Sequence, residues 1–282
     1  MAGEKVNCMD FKQSKYKNCF VNNKAVDLLK KQGTIICRYM PYSRLEKWIN
    51  ESIMTFVSPN RWNDPFEKIY LNTIIANSSL KINYKPPHIA SLCFSKSLFK
   101  DSVAFWNNFK TDDSSQLVRV EFDFKKMMVQ LIKSLEKYDM HIYIVAVDYS
   151  LQQKIIKNKN EFVKNILRYS GDEIDAESLY IKMLSYKRKA FSFENEVRVI
   201  LVPQEKIDFD KNECFIVDCL DYKTIIENIW LEPIRLPSGW ISEDSIKERL
   251  PKFKKKIYQS PLYDEQKKCM KIDLDQLKIK GR

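Results

Sequence analysis

The chain has 282 residues, 44% of them hydrophobic, and carries 48 Lys and Arg against 37 Asp and Glu, a formal charge of +11. That is enough apolar material for one large core or two modest ones, and the charge favours a polyanionic partner. Only five glycines, none close together, and two histidines, His88 and His141, are present; this excludes a P-loop, a G-x-G-x-x-G dinucleotide turn and a His-rich metal site.

Seven cysteines are scattered without a C-x-x-C pair. An odd, dispersed set argues against a zinc ribbon or a disulfide framework and for a reducing, cytoplasmic setting. Residues 1–20 are polar, with no apolar stretch of the secretory kind, and read as loosely ordered. The longest tight apolar run, Ile142 to Val147, is far too short to span a bilayer, so no membrane partner is expected.

In chain order, Val21 to Gln32 reads as a helix stopped by Gly33. Thr34 to Met40 is a short apolar strand carrying Arg38, whose charge needs an anionic partner if buried. Ser43 to Asn50 reads as a helix capped by Ser43 and burying Leu45, Trp48 and Ile49, followed by a strand from Ser52 to Val57. In the next stretch, SPNRWNDPFE, Asn63-Asp64-Pro65 forces a turn, and the flanking Trp62 and Phe66 mark it as packed. Residues 77–88 read as a surface loop. Ile89 to Ser95 is a buried strand, and Ser102 to Phe109 a short aromatic helix capped by Ser102. Leu117 to Phe122 alternates as a strand. Phe124, Met127, Met128, Leu131, Ile132 and Leu135 recur at helical spacing and form a core stripe. Ile142 to Val147 is a buried strand, and 151–186 is helical with a break near Gly171. Further strands are expected at Cys214 to Asp218 and Ile226 to Leu231, then a helix from Ser242 to Leu250. Residues 251–282 read as a basic, solvated tail. The uneven mixture implies one α+β domain over 21–250.

The stretch from Lys187 to Val202, KRKAFSFENEVRVILV, reads as a strand. One face carries Phe191, Phe193, Val197, Val199 and Leu201. The other carries Glu194, Glu196 and Arg198, then turns apolar at Ile200 and Val202. Such a face is half covered, with its carboxylates gathered where the cover stops.

Four pieces stand out: Arg38-Tyr39, Asn63-Asp64-Pro65-Phe66-Glu67, Cys93-Phe94-Ser95 with Trp106 after it, and Lys187-x-x-x-Phe191-x-x-Glu194-x-Glu196-x-Arg198. From Ile35 to Val202 this run of landmarks resembles a widespread bacterial family catalogued as domain of unknown function 2971. That family is in turn similar to the ADP-ribosyltransferase superfamily, whose domains bind NAD⁺ in a cleft between two small sheets. There the first strand offers Arg, a middle strand Ser, and a late strand Glu, often as E-x-E. The order here is Arg38, Ser95, Glu196, although the usual S-T-S triplet is replaced by Ser95-Lys96-Ser97.

The resemblance implies a split, mainly antiparallel sheet with flanking helices, and NAD as substrate. It implies an ADP-ribosyltransferase or NAD glycohydrolase, as a bacterial toxin or phage-defence effector with a nucleic-acid or protein acceptor and a neutralising antitoxin. In that scheme Arg38 holds the pyrophosphate by forked hydrogen bonds. Glu196 holds the ribose and faces the developing oxocarbenium charge. Ser95 orients Glu196 or the ribose, and Glu194 activates the acceptor. Tyr39 or Trp106 stacks on nicotinamide, and Asn63, Asp64 and Arg198 complete the cofactor-binding set, Arg198 alternatively pairing with Glu194, Glu196 or Asp64 as support. Two other readings stay open. One is a nucleotide or nucleic-acid binder without chemistry. The other is a nuclease in which Asp64, Glu67, Glu194 and Glu196 collect Mg²⁺.

Overall fold

Alternation along the strands builds a sheet with two differently covered faces. In the computed structural model the described residues are 11–16, 18–31, 33–77, 82–96, 103–110, 116–150, 175–205, 213–218, 220–233 and 241–263. The elements run β1 (Phe11–Gln13), β2 (Cys19–Asn22), a 3-10 turn (Asn23–Ala25), α1 (Val26–Lys30), β3 (Ile35–Pro41), α2 (Tyr42–Glu51) and β4 (Met54–Val57). Two 3-10 segments follow, Pro59–Arg61 and Pro65–Asn72, then β5 (Ile75–Asn77), β6 (Ile82–Tyr84), β7 (Ala90–Ser95), α3 (Val103–Asn108), β8 (Leu117–Asp123), α4 (Phe124–Leu135) and β9 (Met140–Ala146). The remainder is α5 (Ala176–Met183), a 3-10 segment (Lys189–Glu194), β10 (Glu196–Pro203), β11 (Cys214–Val217), α6 (Tyr222–Ile225), β12 (Ile226–Leu231), α7 (Glu243–Arg249), a 3-10 segment (Pro251–Lys256), β13 (Ile257–Gln259) and a last turn (Pro261–Tyr263).

Among the described residues eleven strands form one sheet, mixed but mostly antiparallel, with only β2–β9 and β12–β13 parallel. Its organising feature is a fork at β7. On one side β7 pairs with β10 along its whole length, from Leu201↔Ala90 to Glu196↔Ser95. On the other side it meets β4 at Val57↔Ser91 and β3 at Cys37↔Ser95. One branch runs β4–β11, the other β3–β8–β12–β13.

The inner face holds the largest core. Val197, Val199 and Leu201 of β10 meet Val118, Val120 and Phe122 of β8 under α2, α4 and α7. All six residues of the α4 stripe are buried there, and Asp123 caps that helix by accepting from Lys126 N at 3.0 Å. The outer face has two separate covers. Ile200 and Val202 lie under Ile69 and α5, whereas Cys37 and Tyr39 lie under Phe105 and Trp106 of α3.

Several expectations are corrected. Val21 and Asn22 belong to β2 rather than to a helix, because pairing with β9 buries them and Asn22 bonds both ways with Ala146. The helix there is only Val26–Lys30, and Gly33 follows it with the left-handed φ of 69°. α2 begins at Tyr42 without a side-chain cap, so Ser43 has no capping role. Within the supposed loop 77–88, residues on either side of 78–81 pair as the β5–β6 hairpin. Residues 251–263 are not a solvated arm: β13 joins β12, and Phe253 and Ile257 enter the main core. Ser97, Ser102, the helical stretch 151–174 and the tail from 264 lie outside the described residues. Among the described residues no helix is long and apolar enough to cross a membrane.

Candidate active site

Where the two outer covers part, at the fork, the sheet face opens into a cavity of about 460 Å³, within the range of small-molecule sites. Cys37, Arg38 and Tyr39 of β3, Cys93 and Ser95 of β7, and Glu196 of β10 line it. Asn63, Asp64 and Glu67 come from the turn, Asn108 and Phe109 from α3 and its end, and Lys187, Arg188 and Glu194 from the approach to β10. Arg38, Ser95 and Glu196, far apart in the chain, thus meet in one cleft.

The approach to β10 is not the strand expected from Lys187. Residues Lys189–Glu194 make a 3-10 segment, and Asn195 then takes a left-handed conformation (φ 43°) before the strand starts at Glu196. Phe193 therefore points outward, 43% exposed, instead of joining Val197 in the core. The kink is held by Ser95, whose Oγ donates to the Glu194 carbonyl at 2.6 Å, and by Lys96 N donating to the Asn195 carbonyl at 2.9 Å. Ser95 thus positions the Glu194 backbone.

Three carboxylates and two cations share the negative wall. Arg198, wholly buried, donates from Nε to Glu196 Oε1 and from Nη2 to Glu196 Oε2, both at 3.0 Å. Its Nη2 also pairs closely with Glu67 Oε1, and Nη1 donates to the Leu184 carbonyl at 2.6 Å. The guanidinium stacks 4.4 Å from the Trp62 ring centroid. Lys187 bonds Glu194 Oε2 at 2.5 Å and Glu196 Oε2 at 3.1 Å, with Glu67 at 3.8 Å. Asn108 Nδ2 reaches the free side of Glu194 at 3.3 Å. Asp64 stands apart, caps the turn by accepting from Phe66 N at 3.0 Å, and pairs with Arg188 at 3.1 Å.

This network pushes the two carboxyls of E-x-E in opposite directions. Burial alone raises both. At Glu196, Arg198 and Lys187 more than offset it and hold the group down, at about 2. At Glu194, Lys187 does not offset it, and the group stays raised. Glu196 is also nearly saturated. Three charged donors and the Cys93 thiol occupy it, against about four lone-pair sites on a carboxylate. Glu194 keeps spare accepting capacity.

Arg38 occupies the fork. Its Nη1 donates to the Cys93 carbonyl, which lies on β7 between the contacts to β4 and β3. Its Nε is enclosed without a partner, and among the described residues no carboxylate lies within ion-pair distance. Burial lowers its pKa to about 10, so it is still cationic at neutral pH. Cross-strand spacing places the Cα of Cys37, next to Arg38, about 10 Å from that of Glu196. The cleft is bipolar, with the Arg38 guanidinium at the fork, Arg61 also in the lining, and three carboxylates against Lys187 and Arg198 on the wall.

Two predicted contacts fall away. Trp106 does not line the cavity; it is 3% exposed and packs edge-on to Tyr39, ring centroids 4.9 Å apart. Arg198, wholly buried, lies beneath the cavity wall and takes the alternative role, pairing with Glu196. Tyr39 does line the cleft, but it already stacks with Phe105 at 5.2 Å and Phe109 at 5.6 Å. The turn folds over the strand, and Lys187 and Arg198 pair with Glu67, Glu194 and Glu196 there. Asp64 turns to Arg188, and among the described residues no cluster of metal-binding side chains forms. Lys187 was missed as a network member, and Glu67 was placed beside Glu194 and Glu196 only as a metal ligand, not as a partner of Arg198. The signal was Arg198 itself, flanked by Val197 and Val199, which demands anionic partners just as Arg38 does.

No protein-family model matches the chain, and no curated protein is significantly similar to it. The resemblance to domain of unknown function 2971 and to ADP-ribosyltransferases rests on its motifs.

Proposed function

We propose that the cleft binds NAD⁺ and cleaves its nicotinamide–ribose bond, as an ADP-ribosyltransferase or NAD glycohydrolase of a split-sheet type. The observation that carries this reading is the bipolarity of the cleft. NAD⁺ is its electrostatic complement, with an anionic pyrophosphate for Arg38 and a cationic nicotinamide for the carboxylate wall.

In the reaction the C–N bond breaks and its electron pair leaves with nicotinamide, so positive charge develops on the ribose. Glu196, held ionised, stabilises that charge through its fixed field rather than by gripping ribose hydroxyls. Glu194, with its raised pKa and spare lone pairs, takes the proton of the water or acceptor group that adds at the anomeric carbon. Two neighbouring carboxyls pushed apart in pKa are the pattern expected of a fixed anion and a base. Ser95 positions this pair through the Glu194 backbone.

The test is release of nicotinamide from NAD⁺ by the pure protein, with and without candidate acceptors. The wild type should release it, and Glu196→Gln and Glu194→Gln should each cut the rate about 100-fold or more. NAD⁺ should raise the melting temperature of the wild type and less so that of Arg38→Met. No release together with no thermal shift would overturn the proposal, as would equal rates in the wild type and both Gln variants.

A further inference from the structure

We infer that the outer face of the sheet beyond α3 is a platform for single-stranded nucleic acid, a site separate from the cleft. Three side chains form one cross-strand row there. Arg119 of β8 is opposite Trp230 of β12, and Trp230 is opposite Tyr258 of β13. On the cleft side the row continues through register to Tyr39.

The row is built as a stack. The Arg119 guanidinium lies 5.1 Å from the Trp230 ring centroid, and the Trp230 and Tyr258 rings lie 5.1 Å apart at 33°. The neighbouring row fixes it in place. Arg119 Nη2 donates to Glu121 Oε1 at 2.8 Å, and Asn228 Nδ2 donates to Glu121 Oε2 at 2.7 Å. Tyr258 is 41% exposed, with its hydroxyl tied to the Lys255 carbonyl at 2.9 Å.

Charge selects the occupant. The Pro251–Lys256 segment leads directly into β13, and its Lys252, Lys254 and Lys255 are exposed. Tyr258 and the half-buried Trp230 offer stacking faces to any base, with the buried Arg119 backing Trp230, and lysines beside them follow a phosphate backbone. The excess of 48 Lys and Arg over 37 Asp and Glu works in the same direction. The core of a protein–protein interface is depleted in lysine, whereas exposed lysines flank these rings. The plainer role, lysines guarding an edge strand against pairing, needs no rings at all; dependence on the rings separates the two.

The experiment uses the full chain without NAD⁺, so its outcome is independent of the cleft's chemistry. Labelled 12-nucleotide single-stranded RNA and DNA, and an abasic DNA of equal length, are titrated by fluorescence anisotropy at 50 and 200 mM salt. Base-bearing strands should bind, the abasic strand about tenfold or more weaker, and Tyr258→Ala should lose a similar factor with unchanged melting temperature. A Lys252/Lys254/Lys255→Gln variant should have a shallower salt dependence. The inference is overturned if Tyr258→Ala binds as well as the wild type or if the abasic strand binds equally. Equally effective competition by polyglutamate would also overturn it, because charge alone would then account for binding.

Discussion

Replacing Arg198 by Met removes a guanidinium that no solvent reaches and keeps most of the volume. Glu67 is left with Lys187 at 3.8 Å as its remaining cation, and the Leu184 carbonyl loses its donor. Breaking a buried pair from one side costs about 3–5 kcal/mol. The site has an escape, since Glu196, without the Arg198 charge that chiefly offsets its burial, can take up a proton. From an ordinary Glu pKa that costs about 3.7 kcal/mol at pH 7 but only about 1 kcal/mol at pH 5. The penalty is therefore about 4 kcal/mol at neutral pH and shrinks on acidification. At about 2–4 °C per kcal/mol, the variant should melt roughly 10 °C below the wild type at pH 7, with the gap at least halved at pH 5. Adding Glu67→Gln to the variant should recover part of the loss, because it removes the stranded charge. Thermal melts of the three proteins at both pH values measure this. A gap equal at pH 5 and pH 7 would mean that lost packing, not an uncompensated charge, is the defect. A loss under 2 °C would mean that the network does not hold the site together.

Glu194 has its pKa raised in the folded protein, first by burial. Its stabilising contribution is therefore complete below the ordinary Glu value and lost as pH rises through the folded one. Glu194→Gln should abolish that loss, so urea midpoints of variant and wild type should diverge as pH rises above the ordinary Glu value, with the variant the more stable at neutral pH. Gly33→Ala meets no atom within 4 Å but must adopt a φ of 69°; backbone strain alone should cost about 1–2 kcal/mol in urea denaturation. A neutral result there would mean that the turn relaxes out of the left-handed region.

The parts of the fold that were legible depend on local pattern. The α4 stripe has one buried face and a capping Asp123, so periodicity sufficed. The switch along β10 from Arg198 to Ile200 and Val202 located the edge of the outer cover correctly. What failed depends on distant pairing. Val21 and Asn22 have a helix-like neighbourhood, but the β9 edge captures them. Residues 257–259 follow a lysine run, but β12 offers them an open edge. The kink at Asn195 was hidden because alternation read straight through it, although Asn is among the few residues that tolerate the left-handed region. The argument that a strand arginine requires an anion was correct for Arg198. At Arg38 it found a backbone carbonyl instead, which no sequence pattern announces.

That difference follows from the fork. A strand that pairs with two different strands on one side has a gap between them, and backbone groups facing the gap have no ladder partner. The Cys93 carbonyl is such a group, and the Arg38 Nη1 satisfies it. A neutral donor would satisfy the carbonyl equally and leave no charge in the gap. A guanidinium satisfies it with one of five N–H donors and keeps a whole positive charge at the cleft floor, which burial makes costly. On the opposite wall, two cations would be neutralised by two carboxylates, yet three are present. The fork therefore carries more positive charge, and the wall more negative charge, than these pairings use. Structural ion pairing tends toward local neutrality, whereas a ligand with separated charges accounts for both excesses at once.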